Sequence, residues 1–258
     1  ACAVAMDVTD EKNLCVIAGT WGINEYISRQ PVLNKSIKMN SLFCLPGYFL
    51  IEESSATSVS NNQWFTDLFL DTEKKQAAER GIGIHTLAEE LASSVAYDEQ
   101  SIIFLPFLYG SNDNPQAKAC FIGLESTHTR PQIIRSVLEG VVFSHRIHIE
   151  RLLANRDRPD AMRLAGGAVN NRTWAQIFAD VMGLSVEIID TNELGALGCA
   201  MAAAVASGLY SDLKEAAHHM VKVRERLEPD LGKKPAYDHK FSLFAQASQA
   251  LDGIWRSF

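Results

Sequence analysis

The chain has 258 residues, 47% of them hydrophobic, enough to build one sizeable core. Its formal charge of −7 excludes the basic face that nucleic acid attracts. Five scattered cysteines (Cys2, Cys15, Cys44, Cys120, Cys199), odd in number and without a CxxC pair, point to reduced thiols and a cytoplasmic setting. No secretory leader is read at the start. The longest apolar segment, Leu194–Leu209, is short for a bilayer and rich in Ala and Gly, so it reads as a buried helix and no membrane partner is expected. No repeat, low-complexity tract or linker divides the chain, so residues 1–258 are read as one domain.

In chain order, a strand at Leu14–Ile17 runs into a turn at Gly19–Gly22. Further strands follow at Asn24–Ser28 and Tyr48–Glu52. Helical periodicity covers Asn61–Leu70, Thr72–Arg80 and His85–Ala96. Ile102–Leu105 is a short apolar strand that stops at Pro106. Phe107–Gly123, holding Gly110, Asn112, Asn114 and Pro115, reads as a loop. Pro131 suits the first position of a helix reaching Leu153. Strand (Arg163–Ala165), helix (Thr173–Met182), strand (Val186–Ile189) and helix (Gly195–Ser207) then alternate. Helices at Leu213–Val223 and Tyr237–Trp255 close the chain. Turn-linked strands followed by alternation predict an α/β layered fold with a mixed sheet and flanking helices.

Two junctions share one pattern. In Leu164–Asp180 (LAGGAVNNRTWAQIFAD) a strand stops at Gly166–Gly167, passes Asn170 and Asn171, and becomes a helix. In Ala18–Gly22 (AGTWG) a strand also ends in a glycine turn. Glycine lets backbone approach a ligand closely, and a helix start adds free N–H groups that suit phosphate. Two such turns suggest one nucleotide held from two sides. Each also has a plainer reading, a hairpin turn at Gly19–Gly22 and a helix N-cap at Asn170 or Asn171.

The segment Ala119–Glu139 (ACFIGLESTHTRPQIIRSVLE) sets an aromatic, Gly123 and an apolar residue ahead of a helix opened by Gln132. It resembles the C-terminal signature of the FGGY carbohydrate kinases. Gly19–Gly22 (GTWG) resembles that family's GTS-type phosphate loop, Gly166–Asn171 (GGAVNN) its adenosine motif, and Glu193–Ala200 (ELGALGCA) a family helix start. The resemblance covers nearly the whole chain. Pro106–Asn112, His128–Arg130 and Glu139–His145 are most similar to the L-xylulose kinases within the family.

The resemblance implies an actin-like (ribonuclease H-like) ATPase domain, specifically the C-terminal, nucleotide-binding half of a two-domain enzyme. Its own N-terminal domain would be the partner that supplies most of the sugar site. The implied reaction moves the ATP γ-phosphate to a sugar hydroxyl, with a ketopentose such as L-xylulose as substrate and Mg²⁺ arriving with ATP. The implied nucleotide contacts are Gly19 and Thr20 at the β- and γ-phosphates, Gly167 at the α-phosphate and ribose, and Asn171 at adenine, whose amide both donates and accepts. Gln63, in Ser58–Trp64, is a further nucleotide contact or a solvated helix residue. The family's catalytic aspartate falls just upstream of Ala1, so no catalytic residue is expected within the chain. Asp7 and Asp10 lie too close to the loop to replace it. Trp21 either narrows the sugar side of the cleft or packs in the core. His145 and His148 stand one helical turn apart without a third metal ligand in view, and no metal site is assigned to the chain. Pairing with a second copy stays open. A non-catalytic actin-like nucleotide-binding module is the alternative. A Rossmann dehydrogenase is disfavoured, because no G-x-G-x-x-G opens a βαβ unit.

Overall fold

Strand β1 (Asn13–Ala18) reads as an almost unbroken apolar run because both its faces are covered. Leu14, Val16 and Ala18 enter the main core, while Cys15 and Ile17 face a second one. The computed structural model describes residues 1–191 and 193–258. A short helix α1 (Cys2–Ala5) precedes β1, and β2 (Gly22–Ser28), β3 (Met39–Leu42) and β4 (Phe49–Ser55) follow it. Helices α2 (Val59–Phe69), α3 (Asp71–Glu79) and α4 (Ile84–Ser93) lead to a small sheet of β5 (Ile103–Leu105) and β6 (Cys120–Ile122). Then come α5 (Arg130–Leu153), β7 (Ala161–Gly166), α6 (Arg172–Met182), β8 (Val186–Ile189), α7 (Leu194–Ala206), α8 (Leu213–Met220), β9 (Val223–Leu227) and α9 (Lys234–Leu251).

Among the described residues the main sheet has seven strands in the order β3-β4-β2-β1-β7-β8-β9. The β1–β7 and β7–β8 pairs are parallel and the other neighbours antiparallel. Helices α2, α5, α6 and α9 bury their apolar residues in the main core on one face, and α1, α7 and α8 pack toward the other. This is the mixed α/β architecture expected from the alternation of elements.

Four expectations need correction. Helix α7 is not buried: of its residues only Gly198 and Met201 are, and it lies on the surface against α1. Its Ala-rich composition shows that it is apolar, not what covers it. Strand β3 (MNSL) has four exposed residues at a sheet edge, so no period-2 pattern marks it. Strand β6 lies inside the segment read as loop, and only its pairing with β5 makes it a strand. The helix read to Val223 ends at Met220, and Val223–Leu227 (VRERL) becomes an edge strand whose charged residues suit solvent.

The signature helix α5 carries its own start signals. Pro131 sits in its first turn, and Thr129 and Gln132 form a reciprocal capping box, with Thr129 N donating to Gln132 Oε1 at 2.8 Å. Further along, Glu139 accepts from Arg135 Nε (2.7 Å), Lys240 Nζ (3.0 Å) and Gln100 Nε2 (2.9 Å), all buried. The signature's Arg and Glu therefore clamp α9 onto α5.

On the other face of the sheet, Glu25 is buried in register between Cys15 and Glu52. Burial first, and then the charge of Glu52, pushes its carboxyl up to about 7. The unfolded chain releases that proton near 4.5. Between those values the folded state binds more protons, so stability falls as pH rises. The expected contribution of Glu25 is a loss of about 3 kcal/mol from pH 4.5 to above 7. Glu25→Gln should flatten that slope and raise stability at pH 8. Urea melts of both proteins at pH 5 and pH 8 measure it, and parallel slopes would refute the assignment.

Candidate nucleotide site

The two glycine turns meet. Strands β1 and β7 are parallel neighbours with Ala18 opposite Gly166, so both turns leave the same end of the sheet side by side. Gly166 has φ +89 and ψ −167, a region essentially reserved for glycine. A Cβ there would overlap the Ala18 carbonyl and come within 2.9 Å of Gly19 N. Gly166, rather than Gly167, thus brings the two turns into contact. A Cβ on Gly167 would instead meet Val59 Cγ1 at 3.0 Å.

The first turn of α2 completes the cluster. Ser58 N donates to the Thr20 carbonyl (3.1 Å), Val59 N to the Gly19 carbonyl (2.8 Å) and Ser60 Oγ to the Thr20 carbonyl (3.1 Å). The N–H of Gly19 is taken inside the turn by the Trp21 carbonyl at 3.1 Å. The exposed Thr20 therefore presents the donors of this turn, its N–H and its hydroxyl. Trp21 is 57% exposed at the hairpin tip, which removes the core-packing alternative.

After Gly166 a single 3₁₀ turn, Gly167–Asn170, leads into α6. Asn171 is the N-cap of α6, its Oδ1 accepting from Trp174 N at 2.7 Å. The capping reading is therefore realised, and the amide Nδ2 is the part of Asn171 left for a ligand. Gln63 is exposed on α2 and donates to Asp67 Oδ2 at 2.8 Å, with no bond to either turn. Gly19, Thr20, Gly167 and Asn171 thus share one end of the sheet, and Gln63 projects from the flanking helix.

The histidine pair is split between two networks. His145 bonds Ser58 and Asn24, while His148 Nδ1 lies 3.0 Å from Glu53 Oε2. No cluster of three His, Cys, Asp or Glu side chains able to hold a metal occurs among the described residues. Arg130 pairs with Glu73 at 2.9 Å beside the α5 start, a structural contact within the domain. The Ser58, His145 and Asn24 association was not legible in the sequence, because its members come from three distant segments.

A family model described as the FGGY family of carbohydrate kinases, C-terminal domain, matches residues 14–207. This chain belongs to the FGGY carbohydrate kinase family. Its similarity to the L-xylulose/3-keto-L-gulonate kinase of Escherichia coli (strain K12) is 30% identity over 98% of this chain and 49% of that protein. The probable L-xylulose kinase of Pasteurella multocida (strain Pm70) gives 30% identity with the same coverage. This FGGY chain therefore spans about half the length of the curated relatives it matches. Among solved structures, a xylulose kinase from Lactobacillus acidophilus overlays it with a TM-score of 0.85 at 21% identity, over 100% of this chain and 51% of that one. A gluconate kinase from the same organism gives 0.84 at 21% identity, over 99% and 50%. These likenesses show the fold. No helix among the described residues is long and apolar enough to cross a membrane.

Proposed function

We propose that this chain is the nucleotide-binding half of an ATP-dependent sugar kinase that phosphorylates a ketopentose such as L-xylulose. The observation that carries the reading is the pair of glycine turns held side by side at the ends of β1 and β7. Phosphoryl transfer needs positioning and charge stabilisation more than covalent chemistry. Thr20 donates to the terminal phosphates, the backbone at Gly166–Gly167 lets the nucleotide pass close, and the Asn171 amide nitrogen meets adenine. A second half of the kind that makes up the rest of the relatives' length supplies the sugar site and the catalytic base. ATP and reduced thiols make the cytoplasm the compartment this reading implies.

The deciding measurement is ADP release by the full-length protein with L-xylulose, D-xylulose, L-ribulose, gluconate and glycerol. Sugar-dependent turnover is expected, strongest with a ketopentose. Nucleotide binding without stimulation by any sugar would favour a non-catalytic module instead. The 258-residue chain alone is expected to bind ADP weakly and to leave sugar unphosphorylated, because loss of a positioned base removes about 10²–10⁴-fold. Robust sugar-dependent turnover by it would refute that division of labour.

Two substitutions in the full-length enzyme separate chemistry from binding. Thr20→Ala is expected to lower kcat about 10- to 100-fold, the effect of one charge-assisted hydrogen bond worth about 1.5–3 kcal/mol. Asn171→Asp keeps the cap acceptor for Trp174 N and removes the amide donors. It should raise the KM for ATP with little change in kcat or melting temperature, because adenine is remote from the reacting atoms. Thr20→Ala with early melting but full kcat would mean that the hydroxyl serves only the turn.

A further inference from the structure

We propose that Asn24, His145 and Ser58 form a buried relay that positions the Gly19–Thr20 turn for nucleotide phosphates. The inference rests on the kinase reading above and assigns three positioning residues to it. The three side chains are almost wholly buried and come from β2, α5 and the N-cap of α2. His145 Nδ1 lies 2.7 Å from Asn24 Oδ1, and His145 Nε2 lies 2.8 Å from Ser58 Oγ.

The proton positions follow from the network. Asn24 Nδ2 donates to the Glu53 carbonyl at 3.1 Å, so Oδ1 is the atom turned to the ring and it can only accept. His145 therefore carries its proton on Nδ1, which leaves Nε2 to accept from the Ser58 hydroxyl. Burial holds the ring neutral, with a pKa down at about 3. The relay is thus uncharged and directional across ordinary pH, running from Ser58 to His145 to Asn24 to the β4 backbone.

Two observations show that these contacts shape the site. The first is what Ser58 does not do. Serine at an N-cap ordinarily turns its oxygen to the free N–H groups of the first turn. Here the side chain makes no cap bond. Its hydroxyl goes to His145, and its backbone N–H goes to the Thr20 carbonyl. A rotation at Ser58 would move that N–H and the adjoining Val59 N–H, which hold the two carbonyls of the turn. The second is Gly22, the last residue of GTWG. A Cβ there would come within 3.1 Å of the His145 ring and 2.8 Å of Ser55 Oγ. The ring is thus pressed against the exit of the turn as well as tied to its flanking helix. On its other side it meets Phe178 of α6 edge-on at 5.2 Å. One imidazole therefore touches the exit of the Gly19–Gly22 turn, the α2 start and the α6 helix.

The test uses the full-length protein, with ADP titration and sugar-dependent ATP turnover as readouts. Ser58→Ala deletes one oxygen and leaves the fold's packing nearly intact. It is expected to weaken ADP binding about tenfold and to lower kcat at least as much, the scale of a small misplacement of a reacting group. His145→Gln can place an acceptor toward Ser58 and should stay within about threefold of wild type, whereas His145→Leu should match Ser58→Ala. The Ser58→Ala/His145→Leu double variant should show a single tenfold loss, because both break one link. If His145→Leu does not fold, Ser58→Ala carries the test alone. Unchanged ADP affinity and kcat in Ser58→Ala, whatever its melting temperature, would overturn the relay and leave the kinase reading standing. Wild-type protein that binds no ADP would overturn both.

Discussion

Glu139→Gln is expected to destabilise the chain by about 3–5 kcal/mol, the usual result of removing one partner from a buried ion pair. Glu139 is the common acceptor for Arg135, Lys240 and Gln100, and its side chain is 1% exposed, against 8% for Arg135 and 6% for Lys240. Neither cation can turn to water. Arg135 also donates to the Ala92 and Val95 carbonyls and to Tyr237 Oη, and Lys240 to the Tyr97 carbonyl. The carboxylate is the acceptor that both cations share. Burial already pulls the Lys240 ammonium below its ordinary range, so the variant can shed that proton, whereas arginine keeps its charge. The penalty should therefore shrink as pH rises. Lys240→Met in the Glu139→Gln background should recover part of the loss. Urea unfolding of the three proteins at pH 7 and pH 9 decides it. A penalty below about 1 kcal/mol would place Glu139 among solvated pairs, whose worth is of that size.

Gly166→Ala is expected to cost about 3 kcal/mol or more and to weaken nucleotide binding at the same time. The backbone conformation alone accounts for about 1–3 kcal/mol in a residue with a Cβ. Overlap with the Ala18 carbonyl adds an overpacking term of about 1–3 kcal/mol, because backbone cannot swing aside as a side chain does. Relief requires β1 and β7 to separate at the residues that carry the two turns. Gly167→Ala is the control. Its Cβ meets only the Val59 side chain, tightly at one methyl, and no backbone, so its effect should be smaller by half or more. Thermal melts and ADP titrations of both variants measure the difference. Equal stability of Gly166→Ala and wild type would mean that the close approach of the turns does not hold them together.

Much of the candidate site was legible because it consists of local patterns. A strand that stops at a glycine turn is visible in a dozen residues, and both turns were found that way. Asn171 shows the limit. The sequence left adenine contact and helix capping side by side, and the bond from Trp174 N shows that its oxygen is committed to the cap. Gln63 could be assigned to α2 but not to a direction, which depends on how α2 seats against the turns. His145 was visible as the end of the Glu139–His145 segment and as one of two histidines spaced for a metal, not as a partner of the first turn. Its actual partners, Asn24 and Ser58, are 121 and 87 residues away in the chain.

By itself the sequence determined the α/β class, the order of most elements, the Pro131 start of α5 and the family, because each is written in local periodicity or a contiguous motif. Tertiary structure alone decided the edges and the surfaces. Strands β3 and β9 carry polar or charged residues and exist because β4 and β8 offer them unpaired backbone. Helix α7 is apolar in composition yet lies on the outside, since burial depends on neighbours that composition does not name. The same reason explains the two networks at the centre of the chain. Glu139 with Lys240, and His145 with Ser58, are brought together by packing of α5 against α9 and α2, and a hydrogen bond between distant segments leaves no spacing rule for a sequence to show.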